Sequence, residues 1–279
     1  MELHVVHTGN LKLDGGAMFG VVPKSIWNEG YPADENNLCN WAMRCLLVVE
    51  GERRILIDNG IGDKQDEKFL KHYHLNGEDS LEKSLAAVGY SRDDITYMVL
   101  THLHFDHCGG SIIKTSDEKF EPAFKNANYW ISRAQWDWAT QPNRREKASF
   151  LKENILPIRE SGLLKLVEVE GNIFPGIKVR FYNGHTEGQM IQFIKFGDKT
   201  IVFMADLLPS TAHVPLPYVM AYDTRPLVTL SEKEQFLNEA VDKEYILFLE
   251  HDLYHECCTI GQTEKGFRVK ETFDLNKVL

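Results

Sequence analysis

Three histidines and one aspartate fall within six consecutive positions, residues 102–107 (HLHFDH), and no other feature constrains the fold as strongly. The cluster follows an apolar run over residues 95–100, which predicts a buried strand. His102 and His104 are then expected on the same side, because side chains alternate along an extended backbone. Imidazoles grouped with a carboxylate at the end of a strand indicate a metal site.

The other two ligands of the cluster, Asp106 and His107, fall where Gly109-Gly110 permit the chain to turn. One tetrahedral catalytic ion needs about three protein ligands plus water. The cluster alone offers four, and its geometry does not aim all of them at one ion. We therefore predict two metal ions and further ligands elsewhere in the chain.

Further ligands are expected where other strands end. Three polar residues follow β-rich apolar runs in this way: His185, Asp206 and His251. Seven ligands suffice for two ions with three protein ligands each and one shared carboxylate. Imidazole and carboxylate suit Zn, Fe, Mn or Co, and zinc is the default expectation because no thiolate belongs to the set.

Composition narrows the class of protein. The sequence has 279 residues, 43% of them hydrophobic, and the predicted ligands spread across both halves, so we expect one domain over residues 1–279. The net charge of −10 argues against a nucleic-acid partner. No basic run or long apolar stretch indicates a membrane partner, and no signal peptide is visible. Five cysteines without a CxxC pair favour a reduced, cytoplasmic setting.

Predicted strands and helices alternate along the chain. Predicted helices include residues 66–74, 80–88, 132–140, 146–160 and 231–242, the last with a capping box from Ser231 to Glu234. Two segments, LVVEGERRILIDNG and FIKFGDKTIVFMADLL, share the pattern strand, glycine turn, strand, aspartate. This faint repeat favours an α/β fold arranged as a four-layer αββα sandwich.

The seven ligands at these intervals resemble the metallo-β-lactamase-fold hydrolases, over nearly the whole chain. The resemblance implies the αββα metallo-β-lactamase fold. Asp58 in LIDNG matches the superfamily's first aspartate motif, which supports the ligand loop. True class B β-lactamases typically carry Cys where this chain has Asp206, which argues against β-lactam substrates.

The resemblance also implies how the ligands divide. His102, His104 and His185 would hold one ion, Asp106, His107 and His251 the other, and Asp206 would bridge them. A metal-bridging hydroxide would attack the carbonyl carbon, because metal binding lowers the pKa of water from about 15.7 to about 7. Asp106 is the predicted catalytic residue that passes a proton to the leaving group.

Two further segments, LDGGAMFGVVPKSIW and DLLPSTAHVPLPYVMAYD, are similar to the branch of quorum-quenching N-acyl-homoserine lactonases and methyl-parathion-type hydrolases. The implied substrate is a small lactone or ester. The better-known lactonases carry a Tyr shortly after the bridging Asp, whereas here Asp206 is followed by Leu207, Leu208 and Pro209, and His213 or Tyr222 are candidates to replace the Tyr. Phe105, with Met18 and Phe19, is expected to line the substrate pocket.

Other functions stay open at this stage. One is an organophosphate or phosphotriester hydrolase, and another is a thioesterase of the glyoxalase II type. A phosphodiesterase of the tRNA-processing type fits the acidic surface poorly. A vestigial metal-binding scaffold should have lost some of the seven ligands. The sequence is compatible with a homodimer.

Overall fold

The computed structural model of the chain describes residues 1–278 and has a mixed α/β fold. The strands are β1 (Glu2–Asp14), β2 (Leu38–Glu50), β3 (Arg53–Ile57), β4 (Tyr97–Val99), β5 (Ile112–Lys114), β6 (Phe120–Pro122), β7 (Asn128–Ser132), β8 (Leu164–Val167), β9 (Gly171–Phe174), β10 (Ile177–Tyr182), β11 (Gln189–Phe196), β12 (Lys199–Phe203), β13 (Ile246–Phe248), β14 (Cys257–Thr263) and β15 (Gly266–Phe273). The α-helices are α1 (Gly15–Phe19), α2 (Lys24–Gly30), α3 (Glu67–Lys71), α4 (Leu81–Ala87), α5 (Phe105–Cys108), α6 (Arg133–Thr140), α7 (Lys152–Glu160) and α8 (Pro226–Asp242).

These strands form three sheets in the described chain. The first has the order β1-β2-β3-β4-β7-β8, the second has the order β15-β14-β13-β12-β11-β10-β9, and β5 pairs with β6. The chain divides into two compact units. The first unit comprises residues 1–9 and 43–170, and the second comprises residues 10–42 and those from Gly171 onward. The single domain expected over residues 1–279 stays a prediction.

In the first unit, three parallel strands place the histidine cluster. β4 pairs in parallel with β3 on one side and with β7 on the other. Met98 and Leu100 are fully buried there, as the apolar run 95–100 predicts. The regular strand stops at Val99, although the Leu100 amide still donates to the Trp130 carbonyl at 2.9 Å. The cluster therefore follows the carboxyl end of a buried strand.

In the second unit, an antiparallel run of β10, β11 and β12 continues into β13, which is parallel to β12. β12 ends at Phe203, and Asp206 lies in the short 3-10 turn that follows. β13 ends at Phe248, three residues before His251. Parallel strands deliver the residues after their carboxyl ends to one edge of the sheet.

Two predicted helix starts are wrong. The helix expected over 146–160 begins only at Lys152, because the Asn143 side chain accepts hydrogen bonds from the Arg145 and Glu146 amides and holds a turn there. α8 begins at Pro226 rather than Ser231. Proline fits the first helical position, since its φ is already helical and it has no amide hydrogen to satisfy.

Three other expectations can be compared with the structure: two predicted helices and the state of the cysteines. The helix expected over 80–88 is present as α4, which Ser80 caps by accepting from the Lys83 amide. The helix expected over 66–74 is shorter, covering Glu67–Lys71. All five cysteines are buried, and in the described chain none of them forms a disulfide. Within residues 1–278, no helix is both long and apolar enough to cross a membrane.

A buried lysine ties α8 to a long loop of the second unit. The Lys233 ammonium is 1% exposed and donates to the carbonyls of Pro215 at 2.9 Å, Leu216 at 3.3 Å and Tyr218 at 2.9 Å. Burial lowers the pKa of Lys233 from 10.5 to about 7. Removing this amine from water is costly, and the three carbonyls offset part of that cost.

We expect the wild type to gain stability relative to Lys233→Met as the pH rises from about 7 to about 10. The unfolded chain binds the Lys233 proton more tightly than the folded chain, so unfolding takes up a proton in this window. Urea unfolding across the window, at matched metal content, measures the difference. Lys243→Met is the control. Glu239 raises the pKa of Lys243, so the contribution of Lys243 to the free energy of unfolding stays constant below pH 10.5. A pH-independent difference for Lys233→Met would contradict the expectation.

Candidate functional site

His102 and His104 follow β4 and are buried side by side in the first unit. The Nε2 atom of His102 lies 3.1 Å from the Nδ1 atom of His104. On its other side, the Nδ1 atom of His102 lies 3.0 Å from the Thr101 hydroxyl, which itself donates to Asp58. The structure thus fixes the His102 ring with Nε2 as the nitrogen available for a metal.

Asp58 supports the rest of the cluster, as the resemblance implies. Its carboxylate accepts from the Thr101 amide at 2.7 Å and the Thr101 hydroxyl at 2.6 Å, and it lies 3.1 Å from His107 Nδ1. Asp58 is fully buried and has a positive φ of 56°. Such a conformation is uncommon for a residue with a side chain and is retained when the surroundings require it. His107 is therefore oriented with Nε2 directed away from Asp58.

Asp106 and the turn after it are packed tightly against the Asp58 loop. Asp106 lies in α5, is 9% exposed, and its carboxylate is 3.8 Å from His107 Nε2. A Cβ at Gly109 would overlap the Ile61 carbonyl, so only glycine allows this close approach of two backbones. The chain does turn at the glycine pair, in a 3-10 turn, but Gly109 has an ordinary helical φ of −61°, so close packing is the reason for glycine there.

The second unit brings together its three predicted ligands. The Asp206 carboxylate has one oxygen 3.0 Å from His185 Nε2 and the other 3.1 Å from His251 Nε2. The remaining ring nitrogens are held from behind. His185 Nδ1 lies 2.8 Å from the Asp223 carboxylate, and His251 Nδ1 lies 2.8 Å from the Ala42 carbonyl. Each imidazole therefore presents Nε2 to Asp206.

These environments fit divalent metal ions. A metal-bound histidine usually donates its second ring N–H to a carboxylate or carbonyl, and His107, His185 and His251 all have such a partner. Burial lowers the pKa of His185, but Asp206 and Asp223 outweigh it and raise the pKa to about 10. The two buried carboxylates on either side of one imidazole leave an excess of negative charge, which a bound cation would balance. The His/Asp clusters are able to bind metal.

Phe105 is the predicted pocket residue beside the metal ligands of the first unit. It is 8% exposed and packs against Tyr73 and Phe69, with ring centroids 4.6 and 5.3 Å away. Burial and the Asp106 charge raise the pKa of Tyr73 to about 12, so its phenol stays protonated at neutral pH. Sequence reasoning missed Tyr73, because nothing in residues 66–74 distinguishes it from an ordinary helix residue.

The other predicted pocket residues lie in the second unit. His213 is buried, and its Nε2–H donates to the Met18 carbonyl at 2.9 Å while Nδ1 accepts from the Ser210 hydroxyl at 2.7 Å. Its ring stacks on Phe19 at 4.8 Å, and burial lowers its pKa to about 3, so it is a neutral core residue. Tyr222 is 41% exposed. A substrate-binding role stays a prediction for Met18, Phe19, His213 and Tyr222. Of the two candidates to replace the lactonase Tyr, Tyr222 is more accessible than His213.

Comparison with known proteins identifies the family. Residues 44–251 match the metallo-beta-lactamase superfamily profile. An N-acyl homoserine lactonase of Bacillus thuringiensis is 28% identical over 233 residues, covering 78% of this chain and 84% of that protein. A probable metal-dependent hydrolase from Staphylococcus aureus is 31% identical, with a TM-score of 0.88 over 98% of this chain and 96% of that one. AidC, a dizinc quorum-quenching lactonase, shares the fold at 22% identity, with a TM-score of 0.80 over 98% of this chain and 95% of that one.

The match covers well over half of the sequence and includes every predicted metal ligand. It confirms both the predicted fold and the predicted enzyme class. The chain belongs to the metallo-β-lactamase superfamily and is a metal-dependent hydrolase.

Proposed function

We propose that the protein is a dinuclear metal-dependent hydrolase that opens lactones of the N-acyl-homoserine lactone type or cleaves related esters. The observation that carries the dinuclear part is the position of Asp206, whose two oxygens each face the Nε2 atom of a different histidine. A carboxylate placed in this way can give one oxygen to each of two ions.

The ligands would divide between the ions as the resemblance implies. His102, His104 and His185 would hold the first ion, and Asp106, His107 and His251 would hold the second. Asp206 would contribute to both. Zinc suits these imidazoles and carboxylates, and the dizinc lactonase that shares the fold supports this choice. When bound, the ions supply a nucleophile at neutral pH and polarise the reacting carbonyl.

The chain's own residues perform the remaining steps. Asp106, a buried carboxylate beside the ligand His107, would accept the proton of the attacking hydroxide and pass it to the departing alkoxide. Tyr73 stays protonated and can donate a hydrogen bond to the substrate. Phe105 and its aromatic neighbours provide an apolar wall for an acyl chain.

The lactone assignment is supported by the curated relatives. Six of them are named N-acyl homoserine lactonases, and they cover between 76% and 79% of this chain. The Bacillus thuringiensis lactonase structure with N-decanoyl-L-homoserine at its active site has the same fold at 22% identity. A phosphotriester or a glutathione thioester needs the same metal chemistry, so a substrate panel must separate the three classes.

The panel compares homoserine lactones of short and long acyl chain with a phosphotriester and a glutathione thioester, using zinc-loaded protein. We expect one equivalent of acid per lactone opened and a kcat/KM for lactones at least about tenfold above the other classes, equivalent to about 1.4 kcal/mol. Titration of released acid measures the lactones, and absorbance measures the other two. Protein that binds two ions and prefers the phosphotriester or the thioester would contradict the lactone assignment.

A further inference from the structure

The orientation of one metal-binding histidine differs from the others. His102, His107, His185 and His251 have their Nδ1 atoms against a supporting oxygen. In His104 the arrangement is reversed, with Nδ1 3.1 Å from His102 Nε2. To bind a metal through Nδ1, an imidazole must carry its proton on Nε2. The Nε2 atom of His104 therefore needs an acceptor of its own.

Glu146 is placed to be that acceptor. Its Oε1 atom lies 3.4 Å from His104 Nε2, and the two side chains are 4% and 9% exposed. The other oxygen, Oε2, accepts from the Trp138 indole N–H and the Asn143 amide, both at 2.6 Å. These two donors fix the carboxylate plane and leave Oε1 directed at His104.

The loop that carries Glu146 is itself attached to the ligand cluster. The Ser149 carbonyl accepts from the Phe105 amide at 3.0 Å, and the Phe150 ring lies 4.9 Å from the His104 ring. Within the loop, Asn143 caps the turn by accepting from the Arg145 and Glu146 amides. This turn is the reason that α7 begins six residues later than expected. Residues 143–150, here called the Glu146 loop, thus hold both the ring and the backbone at His104.

Burying the Glu146 carboxylate requires a compensating interaction. Taking an ionised group out of water is energetically costly unless the group is paired. Glu146 receives two neutral donors on Oε2, and its Oε1 faces the His104 imidazole, with 3.4 Å between Oε1 and Nε2. The pairing also favours the His104 tautomer with Nδ1 free for a metal, as outer carboxylates do at other metal sites.

We propose that Glu146 is a positioning residue that sets the tautomer and the ring orientation of His104, and that the Glu146 loop exists to place it. The inference rests on the proposed function, since it takes His104 as a metal ligand. Glu146 makes no contact with the reacting atoms and acts through His104.

The test is the zinc affinity of Glu146→Gln, which keeps the shape of the side chain and removes its charge. We expect affinity about 10- to 100-fold weaker in chelator competition. We also expect a changed visible spectrum for the cobalt-substituted protein, and a loss in kcat larger than any change in KM. Glu146→Asp keeps the charge at a longer distance and should recover part of the affinity. Glu168→Gln, at an exposed glutamate paired with Arg133, is the matched control and should match the wild type.

A merely structural role would give a different pattern. It would lower the melting temperature of the metal-free protein and leave the cobalt spectrum unchanged. If Glu146→Gln does not fold, Trp138→Phe removes one donor to Glu146 and should weaken zinc binding in the same direction, by less. Wild-type affinity and spectrum in Glu146→Gln would overturn the inference while leaving the proposed function intact. A wild type that binds no metal would instead overturn the proposed function.

Discussion

The Asp206→Ala protein is expected to bind at most one ion per chain and to lose turnover by a factor on the order of 10³ or more. The substitution removes both oxygens that face His185 and His251, so neither ion keeps its shared ligand. Asp206 and Asp223 both raise the pKa of His185, and the substitution removes the contribution of Asp206. Elemental analysis of the loaded protein and initial rates on a homoserine lactone measure the two effects.

Asp198→Ala is the control for this substitution. Asp198 is exposed in the turn between β11 and β12, and Asp206 follows the carboxyl end of β12. Metal content and rate should be those of the wild type there. Two tightly bound ions and full activity in Asp206→Ala would show that Asp206 does not bridge the ions.

The Asp106→Asn protein should lose lactone turnover by about 10²- to 10⁴-fold, the usual contribution of a general acid or base. The loss should be much smaller, within about tenfold, on a 4-nitrophenyl ester. A lactone releases a basic alkoxide that needs a proton, whereas 4-nitrophenolate leaves without one. The asparagine keeps an oxygen near His107, so the comparison tests proton transfer rather than the presence of a side chain.

The comparison is interpretable only at matched metal content, which is measured on the same samples. Asp117→Asn changes an exposed aspartate of the same unit and should affect neither substrate. Equal losses on the lactone and the nitrophenyl ester, with two ions still bound, would assign Asp106 to metal binding alone.

Much of the candidate site could be predicted because its ligands are close in sequence or follow strong strand signals. Residues 102–107 hold four ligands together, and Asp206 and His251 come shortly after buried parallel strands. These features depend on local backbone geometry, which a sequence pattern reports directly.

The supporting residues could not be predicted in the same way. Asp223 lies 38 residues from His185, and Glu146 lies 42 residues from His104. Neither residue belongs to a sequence motif, because each comes close to its histidine only when the chain folds. The sequence instead predicts that Glu146 begins a helix over 146–160, since its neighbours have good helix propensity. The Asn143 side chain outweighs that propensity by capping a turn.

His213 shows the same limit for the pocket. As a histidine in a lactonase-like segment it is a reasonable candidate to contact substrate. In the structure both of its ring nitrogens have protein partners, and its ring stacks on Phe19. Whether a histidine faces a ligand or the core is decided by packing between distant segments, which periodicity does not report.

The central claim is that two ions act together in this chain, and a zinc titration of the metal-free protein tests it most directly. Ring opening of N-hexanoyl-homoserine lactone is followed as zinc is added, in equivalents per chain. We expect the rate to keep rising until about two equivalents are bound and to level there. A rate that levels at one equivalent, or no ring opening with two ions bound, would contradict the claim.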